Sequence, residues 1–127
     1  MRTNIQSGNP YEEVFGYCRA VRVGNIVHVA GTCAQPPHIE GCDAYEQATN
    51  AISIITTALA EAGASAADVV RTITYLTDIG DMELVARAHS EVFGSVRPAA
   101  TLVQVSALVD PGMKVEIEAY AVIDAED

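Results

Sequence analysis

The sequence predicts an α+β fold in which one mixed sheet is backed by two helices on a single face. The first observation is strict alternation of apolar and polar side chains over residues 115–123, the pattern of a strand with one packed face. The second is Gly24-Asn25 between two β-rich runs, which favours a tight hairpin. The third is a pair of capped amphipathic segments, each with one apolar stripe to bury.

Length and composition indicate one folded domain over residues 1–127, with half of the residues hydrophobic. The 17 acidic against 7 basic side chains give a formal charge of -10, which would repel a phosphate backbone. We therefore expect no nucleic-acid partner. The polar first 15 residues contain no apolar core typical of a signal peptide, and no apolar run reaches membrane-spanning length. We expect a cytoplasmic protein with no membrane partner.

A hairpin is predicted from the runs at residues 17–23 and 26–30. If Gly24-Asn25 forms the whole loop, counting outward gives these opposed pairs: Val23 with Ile26, Val21 with His28, Arg19 with Ala30, and Tyr17 with Thr32. One face then gathers the polar side chains Tyr17, Arg19, His28 and Thr32. A bulge would shift this register.

Two helices and a strand follow from capping signals and periodicity. Asp43 begins a helix that runs to about Ala62 and stops at Gly63, while Asp81 caps a second helix over residues 82–93. The predicted buried stripes are Ala48, Ala51, Ile52, Ile55, Leu59 and Ala62 on the first helix, and Met82, Val85, Ala88 and Val92 on the second. A strand over residues 69–76 separates them. The polar segment 3–13 is expected to precede the ordered structure.

The last two strands, at residues 97–105 and 115–123, leave one sheet face without a cover. On the second of them, Val115, Ile117, Ala119 and Ala121 face the helices, while Glu116, Glu118 and Tyr120 face the other way. Alternation alone favours a solvated face there. That face also carries apolar side chains from the hairpin, however, so we expect subunits to associate through it, with a ligand cleft between them.

The three cysteines, Cys18, Cys33 and Cys42, are an odd number at irregular spacing, so free thiols are expected. No Cys-x-x-Cys or paired histidine motif accompanies them. We therefore expect no metal site.

Five stretches stand in a characteristic order along the chain. They are Gly16-Tyr17-Cys18-Arg19-Ala20-Val21-Arg22-Val23-Gly24, Val29-Ala30-Gly31-Thr32, Ala60-Glu61-Ala62-Gly63-Ala64, Asp68-Val69-Val70-Arg71-Thr72, and Arg97-Pro98-Ala99 leading to Val115-Glu116-Ile117-Glu118-Ala119. Together they resemble the reactive-intermediate deaminase superfamily, also called the RidA or YjgF family. The resemblance implies a chorismate-mutase-like fold, a homotrimer whose sheets form a central barrel, and three clefts between subunits. It also implies hydrolysis of enamine and imine intermediates to a keto acid and ammonia, without metal or organic cofactor.

The same resemblance assigns roles to individual positions. Glu116 matches the family's strand glutamate that positions water, Tyr17 its cleft tyrosine, and Gly31 a backbone element of the pocket. Ala30 stands where deaminases often have serine, and Ala100 stands where they have an arginine that clamps the substrate carboxylate. Because that clamp is missing, standard amino-acid imines should be poor substrates.

Three further positions carry hypotheses that the residues leave open. Arg19 could partly replace the clamp, could pair with Glu116 and orient it, or could form an ordinary interface ion pair. Cys33, after the Gly31-Thr32 turn, could be a nucleophile if Arg19 or His28 lowered its pKa, or a small buried residue. His28 could be a general acid or base, or a hydrogen-bonded barrel histidine.

Two functions remain in competition. One is a RidA-type small-molecule hydrolase acting on an imine, an enamine or a related reactive intermediate, with Glu116 positioning water. Its substrate-binding residues are Tyr17, Arg19, Ala30, Gly31, Thr32, Cys33 and Ala100. The Tyr17 and Arg19 edge of one subunit is expected to face Glu116 of the next. The alternative is a non-catalytic trimer that binds metabolites or partner proteins in the same clefts.

Overall fold

Strands and helices appear in an order that the alternating and capped segments largely predict. The computed structural model describes residues 1–124. Its elements are β1 (Arg2–Ile5), α1 (Pro10–Phe15), β2 (Ala20–Val23), β3 (Ile26–Thr32), α2 (Ala44–Glu61), β4 (Val69–Leu76), α3 (Met82–Phe93), β5 (Ala99–Gln104) and β6 (Val115–Val122), with short 3-10 turns at Ala66–Asp68 and Ile79–Asp81. The sheet order is β1-β2-β3-β6-β4-β5, with β4 and β5 parallel. The predicted α+β fold with a mixed sheet is confirmed.

The β2-β3 hairpin has the predicted register, with Val23 opposite Ile26. Towards its open end the register with β6 shifts, because Val29 pairs with Ala119 whereas Thr32 pairs with Ile117. Three steps on β3 thus match two on β6, which is a bulge. The bulge turns Thr32 to the helix-covered side, where it is buried. The expectation that Thr32 shares the open face is therefore wrong.

The N-terminal segment is ordered, so the expectation that structure begins after it is wrong. β1 pairs antiparallel with β2 along the sheet edge. Asn9 then caps α1 by accepting a hydrogen bond from the Tyr11 backbone N–H at 2.9 Å, and Pro10 occupies the first turn. Three of the four β1 residues are exposed, so no alternation revealed this strand. The six-residue α1 is too short to show helical periodicity.

Helix α2 matches its prediction closely. Asp43 accepts a hydrogen bond from the Glu46 backbone N–H at 2.9 Å, and Gly63 follows the helix with φ 86°. All six residues of its predicted stripe are buried. Gln47 is buried as well, and its side-chain amide donates to the Gly112 carbonyl at 3.0 Å and accepts from the Lys114 backbone N–H at 2.9 Å. These bonds fix the loop that leads into β6.

Helix α3 departs from its prediction in detail. Val85 and Ala88 are buried as expected, but Met82 is 43% exposed and Phe93 fills the core instead. The side chain of Asp81 makes no capping hydrogen bond. A 3-10 turn directly precedes Met82, and periodicity within the helix could not show that this first residue is exposed.

The two faces of the sheet differ as predicted. On β6, Val115, Ile117, Ala119 and Ala121 are fully buried on the side of α2 and α3, whereas Glu116, Glu118 and Tyr120 alternate on the opposite face, called here the open face. The open face also carries exposed apolar side chains at the ends of its strands. These are Val23, Ile26, Val103 and Val122. The candidate site lies on this open face.

Candidate active site

A depression of about 630 Å³ lies on the open face, bordered by β3, β6, α1 and the loop before β6. Its volume is in the usual range for a small-molecule site. Six of the eight residues proposed from the sequence line it: Tyr17, Arg19, Ala30, Gly31, Cys33 and Glu116. The other lining residues are Asn9, Tyr11, Phe15, Gln35, Val109, Met113 and Glu118. The structure thus brings most of the predicted site together in one chain.

Glu116 packs closely against Gly31 in the depression. A β-carbon added at Gly31 would lie 2.6 Å from Glu116 Oε2 and 2.9 Å from its Cδ. Only glycine therefore lets this carboxylate approach the β3 backbone so closely. Gly31 lies in the bulged part of β3, so the irregular pairing and the placement of Glu116 occur at the same point.

Cys33 extends this contact, because its thiol donates a hydrogen bond to Glu116 Oε1 with a separation of 3.6 Å. Burial raises the pKa of Cys33 to about 12, and the negative charge of Glu116 adds to the effect while Arg19 only partly opposes it. The thiol is therefore protonated near neutral pH. The hypothesis of a nucleophile with a lowered pKa is wrong, and Cys33 instead helps to orient Glu116.

Arg19 is almost fully buried, and its guanidinium is held within the chain. Nε donates to Glu12 Oε2 at 3.3 Å, one terminal nitrogen donates to the Gly31 carbonyl at 2.7 Å and Thr32 Oγ1 at 2.9 Å, and the other donates to the Tyr17 hydroxyl at 3.0 Å. Arg19 thus pairs with Glu12, and the alternative in which it pairs with Glu116 is wrong. Four of its five N–H groups are occupied, so it cannot form a bidentate clamp for a substrate carboxylate in this arrangement.

Glu12 is the partner that sequence reasoning missed. Burial alone would raise its pKa, but hydrogen bonds from the Ser7 side chain and backbone, together with Arg19, outweigh burial and lower that pKa. Its burial could not be inferred from a segment interpreted as a polar lead. The one available signal was Asn9-Pro10, the usual start of a helix, which would have placed Glu12 in a first turn.

Two proposed residues lie outside the depression. Thr32 is behind its wall, where its hydroxyl accepts from Arg19 and donates to the Ala30 carbonyl at 2.7 Å. Ala100 is exposed on β5, two strands from β6. Tyr17, Arg19 and Glu116, in contrast, share the depression of a single chain. The prediction that Glu116 would be contributed by the next subunit is therefore wrong.

Further polar residues of the open face surround the depression. The Tyr75 hydroxyl donates to Glu118 Oε1 at 2.7 Å, and this hydrogen bond, with burial and the charge of Glu118, raises the pKa of Tyr75 to about 12. The His28 ring packs edge-on against Tyr120 with 5.2 Å between ring centroids. Because His28 does not line the depression, its geometry gives no support to an acid or base role there.

Within residues 1–124 no group of three or more histidine, cysteine or acidic side chains is arranged to hold a metal ion. The three cysteines are free. No helix in this described part of the chain is long and apolar enough to cross a bilayer.

Comparison of the sequence with known proteins identifies the family of this chain. Residues 9–123 match the family described as Endoribonuclease L-PSP. The chain is 44% identical to an uncharacterised Streptomyces coelicolor protein, SCO2049, over 91% of this chain and 90% of that protein. It is 31% identical to the human 2-iminobutanoate/2-iminopropanoate deaminase, over 84% and 79% of the two chains.

A solved structure agrees with these sequence matches. Rv2704 from Mycobacterium tuberculosis, described as a member of the YjgF/YER057c/UK114 family, superposes with a TM-score of 0.91 at 45% identity, covering 97% of this chain and 100% of that one. The matched region contains β3, β6 and every predicted site residue. The chain therefore belongs to the Endoribonuclease L-PSP family, that of the YjgF and RidA proteins.

Proposed function

We propose that the protein hydrolyses a small imine, enamine or related reactive intermediate, and that Glu116 positions the attacking water. The observation that carries this proposal is the placement of the Glu116 carboxylate against Gly31 and the Cys33 thiol, inside a depression sized for a small molecule. The human relative named as an imine deaminase supports the reaction class. No metal or organic cofactor is part of the proposal.

The residues of the depression match the needs of such a reaction. An imine carbon is already electrophilic, so catalysis requires mainly a held water and a group that exchanges protons. One Glu116 oxygen accepts from the Cys33 thiol, which limits rotation of the carboxylate and leaves its other oxygen to orient water. The Tyr17 hydroxyl, held by Arg19, lies in the same depression and can donate to the leaving nitrogen.

The assembly in this proposal is a homotrimer. Members of the YjgF family are generally trimers, and the open face carries exposed apolar side chains that association would cover. Ala100, exposed on β5, would then border the depression of a neighbouring subunit, as the family resemblance implies for its position. The protein is proposed to act on small molecules rather than on RNA, because its charge of -10 disfavours RNA binding despite the family's description. Its proposed location is the cytoplasm.

A specific observation also favours the non-catalytic alternative. Ala100 supplies no guanidinium, and Arg19 is already committed to four internal hydrogen bonds. A trimer without a carboxylate clamp could bind metabolites or partner proteins in its clefts without turning them over.

One experiment separates the two functions. Imines are generated in situ by a flavin amine oxidase, an amino-acid oxidase or a pyridoxal-phosphate lyase, so that the panel includes imines with and without a carboxylate, and release of ammonia and carbonyl product is measured with the purified protein. We expect acceleration that Glu116→Gln abolishes, whereas Glu13→Gln, which removes an exposed carboxylate outside the depression, has little effect. Acceleration that survives Glu116→Gln would remove Glu116 from its role. No acceleration with a broad panel would favour the binding alternative.

A further inference from the structure

The charges around the depression are unbalanced in favour of negative groups. Glu116 and Glu118 line it, and among the described lining residues Arg19 is the only cationic one. Arg19 is 3% exposed and its charge is offset by buried Glu12 at 3.3 Å. Among the groups that one subunit contributes, a ligand carboxylate would therefore meet two like charges without a free guanidinium to bind it, whereas a cationic head would meet two opposite charges.

The outer wall of the depression is apolar. It consists of Tyr11, Phe15, Val109 and Met113, contributed by α1 and the loop before β6. Phe15 is 84% exposed and Val109 66% exposed, although both border a cavity. The Phe15 ring meets Tyr17 edge-on with 5.9 Å between centroids, so the two rings form an aromatic surface in the depression that Glu116 and Glu118 also line. Covering these side chains with an apolar ligand body would remove that surface from water.

We propose that the preferred ligand of this site has an apolar, preferably aromatic body and a protonated imine head, and that the site discriminates against imino acids. The inference rests on the proposed imine hydrolysis and assigns its substrate class. The apolar wall binds the body, and Glu116 and Glu118 attract the cationic head. The substrate is therefore the imine of an amine or an aldehyde rather than of an amino acid.

The reaction balances without an oxidant or reductant. Water adds its oxygen to the carbon of R–CH=NH₂⁺, and the C–O bond forms as the C=N π bond opens. Both water protons finally reside on nitrogen, the C–N bond breaks, and the products are R–CHO and NH₄⁺. Glu116 can accept the first proton and return it to the leaving nitrogen, so the carboxylate is regenerated.

A binding experiment tests ligand class without turnover. Phenethylamine and 3-phenylpropanoate share a ring and a two-carbon spacer but carry opposite charges at pH 7. We expect calorimetry to show phenethylamine binding at least about tenfold tighter than 3-phenylpropanoate. Glu116 and Glu118 attract the ammonium of the first ligand and repel the carboxylate of the second. Equal affinity, or preference for the carboxylate, would overturn the assigned ligand class.

A turnover experiment distinguishes failure of this inference from failure of the proposed function. A flavin amine oxidase generates the imine of phenylacetaldehyde from phenethylamine, and an amino-acid oxidase generates the corresponding imino acid from phenylalanine. We expect faster hydrolysis of the first. Hydrolysis that favours the imino acid would overturn the inference while supporting imine hydrolysis. Tighter binding of phenethylamine with no hydrolysis of either imine would support the ligand class and contradict hydrolysis.

Two variants test the named surfaces. Phe15→Ala should weaken phenethylamine binding about fivefold, because it removes aromatic area that the ligand would cover. Val14→Ala is the matched control, since Val14 is equally exposed on α1 but does not line the depression. Glu118→Gln should reduce the preference for amine over carboxylate. Identical affinities for Phe15→Ala and Val14→Ala, or an unchanged preference in Glu118→Gln, would contradict the arrangement.

Discussion

The contact between Gly31 and Glu116 leads to the most discriminating prediction, for Gly31→Ala. The new β-carbon would lie 2.6 Å from Glu116 Oε2. Optimal separation of such atoms is about 3.5 Å, so the carboxylate must move by roughly 1 Å. The backbone at Gly31 does not have the positive φ that would exclude alanine, so the strain falls on the glutamate side chain.

The expected effects on stability and on activity differ widely. Forcing Glu116 off its rotamer costs about 0.5–1.5 kcal/mol. Replacing glycine by alanine recovers about 0.4–1 kcal/mol by restricting the unfolded chain. The free energy of unfolding should therefore change by less than about 1 kcal/mol. If Glu116 positions water as proposed, moving its carboxylate by this distance should lower kcat/KM about 100-fold.

The assay pairs urea unfolding with imine hydrolysis on the best substrate of the panel. Gly80→Ala is the control, since its β-carbon would lie 3.1 Å from Asp78 Oδ1 in a turn that does not line the depression. A second readout needs no substrate: the pKa of Cys33 should fall below about 12 as Glu116 withdraws. Full activity and an unchanged Cys33 titration in Gly31→Ala would refute the role given to the contact.

Three further variants test the Cys33–Glu116 contact, the Arg19–Glu12 pair and the α2 cap. Glu116→Gln should lower the pKa of Cys33 from about 12 by removing a negative charge. The pH dependence of Cys33 alkylation, followed by site-resolved mass spectrometry, measures this pKa. An unchanged titration would contradict the contact. Glu12→Gln should destabilise the fold by roughly 1–3 kcal/mol, since buried Arg19 loses its charged partner. Because folding lowers the pKa of Glu12, its contribution to stability is present above the ordinary value of 4.5 and is lost as pH falls. Lowering the pH should therefore narrow the difference in free energy of unfolding between wild type and Glu12→Gln. Asp43→Ala should cost about 1 kcal/mol by removing the α2 cap, and urea unfolding that shows no loss would argue against the cap.

Local sequence patterns predict an element well when the residues that specify it lie within one short segment. The Gly24-Asn25 turn, the Asp43 cap and the alternation along β6 each depend on neighbouring residues, and each is present in the structure. Tyr17, Gly31 and Glu116 in the depression were identified through a whole-chain resemblance, which associates positions far apart in sequence.

Packing determined the chemistry of the site, because burial and charge pairing depend on segments that meet only in the folded chain. The bulge in β3, set by its pairing with β6, turned Thr32 away from the open face. Arg19 is neutralised by Glu12 from α1, a helix too short for periodicity to reveal. Cys33 and Glu116 are 83 positions apart, and their approach in a desolvated site makes the thiol a donor rather than a nucleophile.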